Sequence, residues 1–594
     1  MSNLQHKHTQ QLDREQLVHL LAALRKEQTA DLKLTNISVL DLVNGEVSPG
    51  PIVIDQGYIA AIGPEAEELT ATRTVDCKGQ IAVPGFIDGH MHVETSTMTP
   101  FEFERTTLPL GTTSIVCDPH ELVNVMGKPG IEWFLRCSEM MRQNMFVQVS
   151  SCVPAVAGLD INGSDFTLDE MRAYLDHPHV LGLAEVMDYP AVLNGSPTML
   201  DKLEAFNSLN IDGHCPLLSG RELSAYVASG IQNCHETTNY QEGKEKLAKG
   251  MAVIMREGSV AKNLDALAPL ITEFSSPLCL LCTDDRNPHE IAKEGHIDYM
   301  VRRLIQHHKI KPHLAYRVAS WSAARHFGLQ RLGLLAPGYK ADINLVKNLD
   351  QVDIQRVVIG GQFVDELHLA DSVAAKLDAS VPPLQPTLKH KAVTEDELAI
   401  PLTAGDYHVI EIIKDELLTN HLVCHFDGKQ FDREGINKLA VVERYGHQLP
   451  PAKGLVTGFS LNQGAIATSV GHDSHNIVAI GADEHSMTIA INHLIAIGGG
   501  YCVVQDGKVS ADLKLPLGGI MSLDSSEAIT TQIVALKQAA QAIGVEVAEP
   551  FVQMSFLALP VIPSLKMTVK GLVDVDKFEL IELRQETPHS AATH

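Results

Sequence analysis

The stretch Val83-Pro-Gly-Phe-Ile-Asp-Gly-His-Met-His92 decides how this chain is read. An apolar run leads into two histidines two residues apart, and side chains at i and i+2 of a strand leave the same face. His90 and His92 therefore form a ready metal-binding pair at a strand end. Such a pair also occurs on ordinary surfaces, so its meaning depends on the polar groups farther along the chain.

Downstream of this pair the chain alternates regularly. Apolar runs at 81–88, 112–117, 145–153, 180–186, 211–213, 231–234, 252–255 and 278–282 are separated by helical stretches, and each ends in polar residues. Eight strands with intervening helices predict a (β/α)8 barrel. A doubly wound sheet is the alternative, but no glycine-rich fingerprint comes after the first strand.

The expected fold class is α/β. It comprises a (β/α)8 barrel, a small β-domain built from segments before and after it, and a C-terminal α+β domain. Leu12, Leu17, Leu20, Leu21 and Leu24 at helical spacing predict an N-terminal helical arm over 1–30. Strand-like runs at 32–42, 51–54 and 58–62 assign 31–80 to the first part of the small β-domain. The barrel takes 81–330, and strand patterns at 340–346 and 357–364 return to the small domain over 331–375. A polar, proline-bearing stretch with Pro382, Pro383 and Pro386 predicts a linker over 376–400, leaving 401–594 for the last domain. That domain shows an Asp506-Gly507 turn and a helical pattern near 525–544.

Composition narrows the function. The chain has 594 residues, 45% hydrophobic and 20% charged, as in ordinary globular proteins. Its net charge of −26 argues against nucleic acid and suits a small neutral or cationic substrate. No run of 18 apolar residues and no apolar leader core are seen, so no membrane association is expected. Ten scattered cysteines make no disulfide framework, which predicts a reducing cytoplasm. Cys279-Leu-Leu-Cys282 lies inside an apolar run and reads as buried small hydrophobes. The leucine-rich arm predicts self-association as a homodimer.

In a barrel of this kind the functional groups sit at the C-terminal ends of the strands. Those ends carry His90, His92, Glu185, His214, His235 and Asp284. Six nitrogen and oxygen ligands are too many for one tetrahedral zinc. They suit two divalent cations bridged by Glu185, and the donor types favour Mn, Fe or Zn. Two such cations hold a bridging water and lower its pKa from about 15.7 to about 7, worth on the order of 12 kcal/mol toward hydroxide. Asp284 is placed to take the proton and pass it to a leaving nitrogen, and the adjacent Asp285 either exchanges roles with it or contacts substrate. His120, Glu121, Arg256 and Ser259 complete the expected set, as substrate contacts or loop structure. His472 and His475 read either as a lid on the barrel mouth or, preferably, as an interdomain hydrogen-bond cluster.

The opening stretch also resembles the first motif of the amidohydrolase superfamily, and Ala336-Pro-Gly-Tyr-Lys-Ala-Asp342 resembles that superfamily's return to its β-domain. Within it, the adenine deaminase family is most similar. The matching runs are Cys117-Asp-Pro-His-Glu-Leu-Val-Asn-Val125, Ala184-Glu-Val-Met-Asp188, Asp212-Gly-His-Cys-Pro216, Cys234-His-Glu-Thr-Thr238, Met255-Arg-Glu-Gly-Ser259 and Cys282-Thr-Asp-Asp-Arg286. Val470-Gly-His-Asp-Ser-His-Asn476 and Leu515-Pro-Leu-Gly-Gly-Ile-Met521 extend the likeness to the C-terminal region. The resemblance implies hydrolysis of the free base adenine to hypoxanthine and ammonia, with manganese or iron as working metal. It places the ligands at the same six residues.

Competing readings are another binuclear amidohydrolase acting on a cyclic amide, of hydantoin or dihydropyrimidine type, and a non-catalytic scaffold. No ligand is missing, which speaks against the scaffold. Zinc nucleobase deaminases pair H-x-E with P-C-x-x-C. His92-Val-Glu94 fits the first half, but Leu278 precedes Cys279 where that motif needs proline.

Overall fold

Residues 81–92 serve two sheets, and the change of sheet falls at Pro84-Gly85. In the computed structural model, which describes residues 12–156, 158–380, 387–414 and 416–585, the strand Ala71–Pro84 belongs to the small β-domain. It lies parallel to Ala30–Asp41 and antiparallel to Ile343–Val346. The Gly85 N–H then bonds to the Asp342 carbonyl, whereas the Phe86 N–H bonds to the Gly111 carbonyl beside the next barrel strand. A Cβ on Gly85 would lie 2.1 Å from Thr113 Oγ1, so only glycine lets the chain pass here. The first barrel strand is therefore Phe86–Met91, not the 81–88 run that continuous hydrophobicity suggests.

The small domain is one eight-stranded sheet. Its order is Gln362–Phe363, Ile354–Ile359, Ile343–Val346, Ala71–Pro84, Ala30–Asp41, Ile52–Asp55 and Tyr58–Ile62, with Glu46–Pro49 paired to Ala30–Asp41. Segments from either side of the barrel thus share one ladder. The arm forms the helix Arg14–Leu24, opened by a capping box between Asp13 and Gln16. Leu20 and Ala23 pack on this sheet. The first eleven residues of the arm, and the prolines of the expected linker, lie outside the described residues. Helix Leu369–Ser380 runs through the start of that linker region.

The barrel strands are β1 (Phe86–Met91), β2 (Thr112–Cys117), β3 (Asn144–Val149), β4 (Val180–Val186), β5 (Asn210–Gly213), β6 (Asn233–Cys234), β7 (Ala252–Arg256) and β8 (Cys279–Cys282). Nearly every strand residue is buried, as expected for parallel strands covered on both faces. β1–β5 and β6–β8 form parallel sheets. The β5–β6 seam closes through Gln232 N–H to the Ile211 carbonyl at 3.0 Å. The β8–β1 seam closes through His92 N–H to the Asp284 carbonyl and Asp284 N–H to the His90 carbonyl, both 3.0 Å. Ile87, Val116, Phe146, Leu181, Ile254 and Leu280 fill the interior.

The C-terminal domain is an eight-stranded sheet spanning Gly405–Ile412 to Lys508–Lys514, with helices Glu484–Ile497 and Ser526–Ala542. Asp506 and Gly507 both have positive φ, the geometry of a tight hairpin turn. One apolar cluster runs from Phe101, Leu122 and Trp133 of the barrel into Val441, Val478 and Met521 of this domain. The two are thereby packed as a unit, and residues of the C-terminal domain reach the barrel mouth.

Candidate metal centre

Six side chains from five strand ends converge at that mouth, each no more than 7% exposed. His90 and His92 bring their Nε2 atoms 3.1 Å apart. His92 Nδ1 lies 2.9 Å from the Asp118 carbonyl, which only accepts, so Nδ1 carries the proton and the Nε2 lone pair faces the cluster. The His90 ring stacks on His235 with centroids 3.9 Å apart.

Glu185, at the end of β4, stands among four imidazoles. Its Oε1 lies 3.3 Å from His92 Nε2 and 3.2 Å from His120 Nδ1. Its Oε2 lies 2.6 Å from His214 Nδ1 and 3.2 Å from His235 Nε2. Tyr226 registers the two strands concerned: its hydroxyl donates to the Val186 carbonyl at 2.6 Å and accepts the His214 N–H at 3.0 Å.

Asp284 adopts φ +60°, a left-handed conformation that costs a non-glycine residue free energy. The two seam hydrogen bonds to β1 hold it there. Its Oδ1 lies 3.2 Å from His92 Nε2, and its Oδ2 2.7 Å from Arg256 Nη1. Arg256 also contacts Glu236 and, at 3.1 Å, Asp285. Burial opposes ionisation of Asp284, but Arg256, His92 and His235 hold its carboxyl well below the usual range. Glu185 is likewise held low against burial, by His235, His120 and His214. His235 bears the same burial cost yet is lifted to about 9 by Glu185 and Asp284. Burial pushes the Asp285 carboxyl up to about 6.

This donor set fits divalent cations. It is nitrogen and oxygen only, its atoms crowd together with lone pairs inward, and the buried His90 Nδ1 and His235 Nδ1 have no hydrogen-bond partner. The grouping His90, His235 and Asp284 and the grouping Glu185, His214 and His235 each bring three ligand atoms within reach of one ion.

Of the remaining expected residues, His120, Glu121, Arg256 and Asp285 line a cleft above the cluster. Ser259 is not among its lining residues. Its N–H bonds Asp285 Oδ1 at 3.3 Å and its hydroxyl accepts from Asn287 N–H at 3.0 Å, so it braces Asp285 from behind. The Glu121 carboxylate receives His472 Nδ1 on one oxygen and His475 Nε2 on the other, which is an interdomain cluster. His472 also lines the cleft.

Asp118 and Glu236 were not singled out from the sequence. Asp118 accepts from the His120 N–H at 3.1 Å and from Ser150 Oγ at 3.0 Å, and faces His120 Nδ1 at 2.8 Å. It is the first polar residue after β2, and the rule that selected Asp284 after β8 would have found it. Asp473 lies within the run Val470–Asn476, between His472 and His475, whereas no local signal marks Phe556, Leu559 and Ile562; the C-terminal domain contributes all four to the cleft.

Comparison with known proteins gives two family matches. Residues 81–364 match the amidohydrolase family, and residues 416–579 match the adenine deaminase C-terminal domain. A protein of Shewanella halifaxensis described as adenine deaminase is 74% identical over 99% of this chain and 100% of its own length. Proteins with the same description from Edwardsiella ictaluri and Bdellovibrio bacteriovorus are 55% and 53% identical over 98% of this chain and 99% and 100% of theirs.

Proposed function

Because the chain belongs to the adenine deaminase family of amidohydrolases, we propose that His90, His92, Glu185, His214, His235 and Asp284 hold two divalent cations that serve its reaction. The reaction is hydrolysis of adenine to hypoxanthine and ammonia. The observation that carries the metal assignment is the Glu185 carboxylate, each oxygen of which faces a different pair of imidazoles. That is the placement a carboxylate needs to bridge two ions. Manganese or iron suits the donor set, and zinc is the third candidate.

When bound, such a pair supplies Lewis acidity and a water acidified to near neutrality. The chain's own residues do the rest. Asp284, kept ionised and oriented by Arg256, takes the proton released as oxygen adds to C6 of the base. It passes that proton to the exocyclic nitrogen as the C6–N bond breaks and ammonia leaves. Phe556, Leu559 and Ile562, with Met187, give the cleft an apolar wall that covers a flat base and excludes bulk water.

The enzyme acts in the cytoplasm as a homodimer. All ten cysteines are buried and free, in keeping with a reducing compartment, and no helix among the described residues is long and apolar enough to cross a membrane. Leu17, Val18, Leu21 and Leu24 are exposed on the arm helix, where a second copy would cover them. Sedimentation at several concentrations tests the dimer; a purely monomeric profile rejects it.

The deciding assay loads the purified chain with Mn(II) and follows adenine loss by ultraviolet absorbance together with ammonia release. Elemental analysis of the same sample counts the bound metal. Turnover of a dihydropyrimidine without turnover of adenine would reverse the assignment.

A further inference from the structure

The C-terminal domain carries into the cleft a buried carboxylate that takes no part in the proton transfers assigned to Asp284. Asp473 is 5% exposed. Asp473 lines the cleft, its buried Oδ2 has no hydrogen-bond partner, and its Oδ1 stands 3.7 Å from His120 Nε2. The loop presenting it is firmly braced. Arg444 Nη1 donates to the Ser469 and His475 carbonyls at 3.2 and 3.0 Å, and the Tyr445 hydroxyl donates to the Ser474 carbonyl at 2.5 Å. The His472 N–H reaches the Ser555 carbonyl at 2.9 Å, and the His472 ring stacks on Phe556 with centroids 4.5 Å apart. Rigid presentation of an unsatisfied buried acceptor is costly unless a ligand supplies the missing donor.

We propose that Asp473 binds the substrate by accepting the N–H of the purine's five-membered ring, and thereby selects the free base over nucleosides. The inference rests on the adenine reading and on the spacing of the site. The His120 ring separates Asp473 from the metal centre, with Nδ1 3.2 Å from Glu185 Oε1 and Nε2 3.7 Å from Asp473 Oδ1. Asp473 Oδ1 therefore stands beyond Glu185 Oε1 by one imidazole ring and the two contacts that flank it. Adenine carries N–H groups at two places only, the exocyclic amine and one nitrogen of the five-membered ring. The amine stays at the reacting end, so a carboxylate set back from that end behind His120 meets its donor at the five-membered ring. In a nucleoside that donor is gone: one ring nitrogen bears the sugar and the other only accepts. A site built around one hydrogen bond rejects analogues that lack it.

The test compares the Mn(II)-loaded wild type with Asp473→Ala and Asp473→Asn, using adenine as substrate and 9-methyladenine as competing ligand. Wild-type turnover of adenine is the control, and its failure would reject the activity rather than this inference. In Asp473→Ala the KM for adenine rises about tenfold or more, kcat falls less, metal content stays at the wild-type value, and the preference for adenine over 9-methyladenine shrinks. Asp473→Asn, which keeps an acceptor oxygen, recovers part of the loss. Unchanged KM and unchanged preference in Asp473→Ala would overturn the proposal, and so would loss of a metal ion from that variant.

Discussion

Arg256 Nη1 lies 2.7 Å from Asp284 Oδ2, while Oδ1 of the same carboxylate faces His92 Nε2 at 3.2 Å. One oxygen is thus tied to a permanent cation and the other is offered to the imidazole cluster. Arg256 reaches Glu236 and Asp285 as well, so one guanidinium is shared among three buried acids and orients them. The left-handed backbone of Asp284 turns its carboxylate into this position, and the β8–β1 seam holds that backbone.

Arg256→Gln removes the shared cation and leaves three buried carboxylates without it. Breaking a buried ion pair from one side costs about 3–5 kcal/mol. The variant is expected to melt several degrees lower in a calorimetric scan and to lose adenine turnover. Melting at the wild-type temperature would show that these acids do not depend on Arg256.

Asp284→Asn keeps the shape and hydrogen-bonding reach of the side chain but removes its proton affinity. Most of the metal should remain bound, while kcat falls by about 10²–10⁴, the usual worth of a positioned acid–base group. Steady-state kinetics paired with elemental analysis read both. Full activity would take Asp284 out of proton transfer.

Chelation should abolish activity and lower the melting temperature together, because an ion that binds only the folded chain stabilises it, by about 2.7 kcal/mol at a hundredfold excess over Kd. Returning Mn(II) should restore both, at about two ions per chain. Glu185→Gln should retain fewer ions than the wild type, since its carboxylate faces both halves of the centre. An unchanged metal count in that variant would argue against a bridge.

Lys566 offers a pH-dependent stability test at a residue outside the proposed ligand set. It is wholly buried in the strand Leu565–Thr568 and donates to the Leu417 carbonyl at 2.9 Å. Burial lowers its pKa from 10.5 to about 7. Between those values the unfolded chain binds more protons than the folded one, so stability rises with pH across the window. Below about pH 7 the full cost applies, up to about 5 kcal/mol. Lys566→Met should therefore melt higher than the wild type at neutral pH, with the gap closing toward pH 10. A gap that stays constant over that range would contradict the buried-ammonium account.

The six proposed ligands could be read from the chain because each lies at or just beyond the end of an apolar run. Alternation of strands and helices says which residues end a strand, and the barrel places every such end on one rim. Pattern also located the Asp506-Gly507 turn and the long helix of the last domain. Pattern failed at Pro84-Gly85, where hydrophobicity continues unbroken while the hydrogen-bonding partner changes from one sheet to another.

What the chain determines locally is the direction in which each side chain leaves its element, and this selected His90, His92, Glu185, His214, His235 and Asp284. What only the tertiary structure decided is which groups meet across long separations: His472 and His475 on Glu121, Asp473 beside His120, and Arg256 among three acids. The physical reason is that periodicity records short-range geometry along one strand or helix. The approach of a loop more than 300 residues downstream is set by the shared apolar core beneath it, which leaves no mark on the neighbouring sequence.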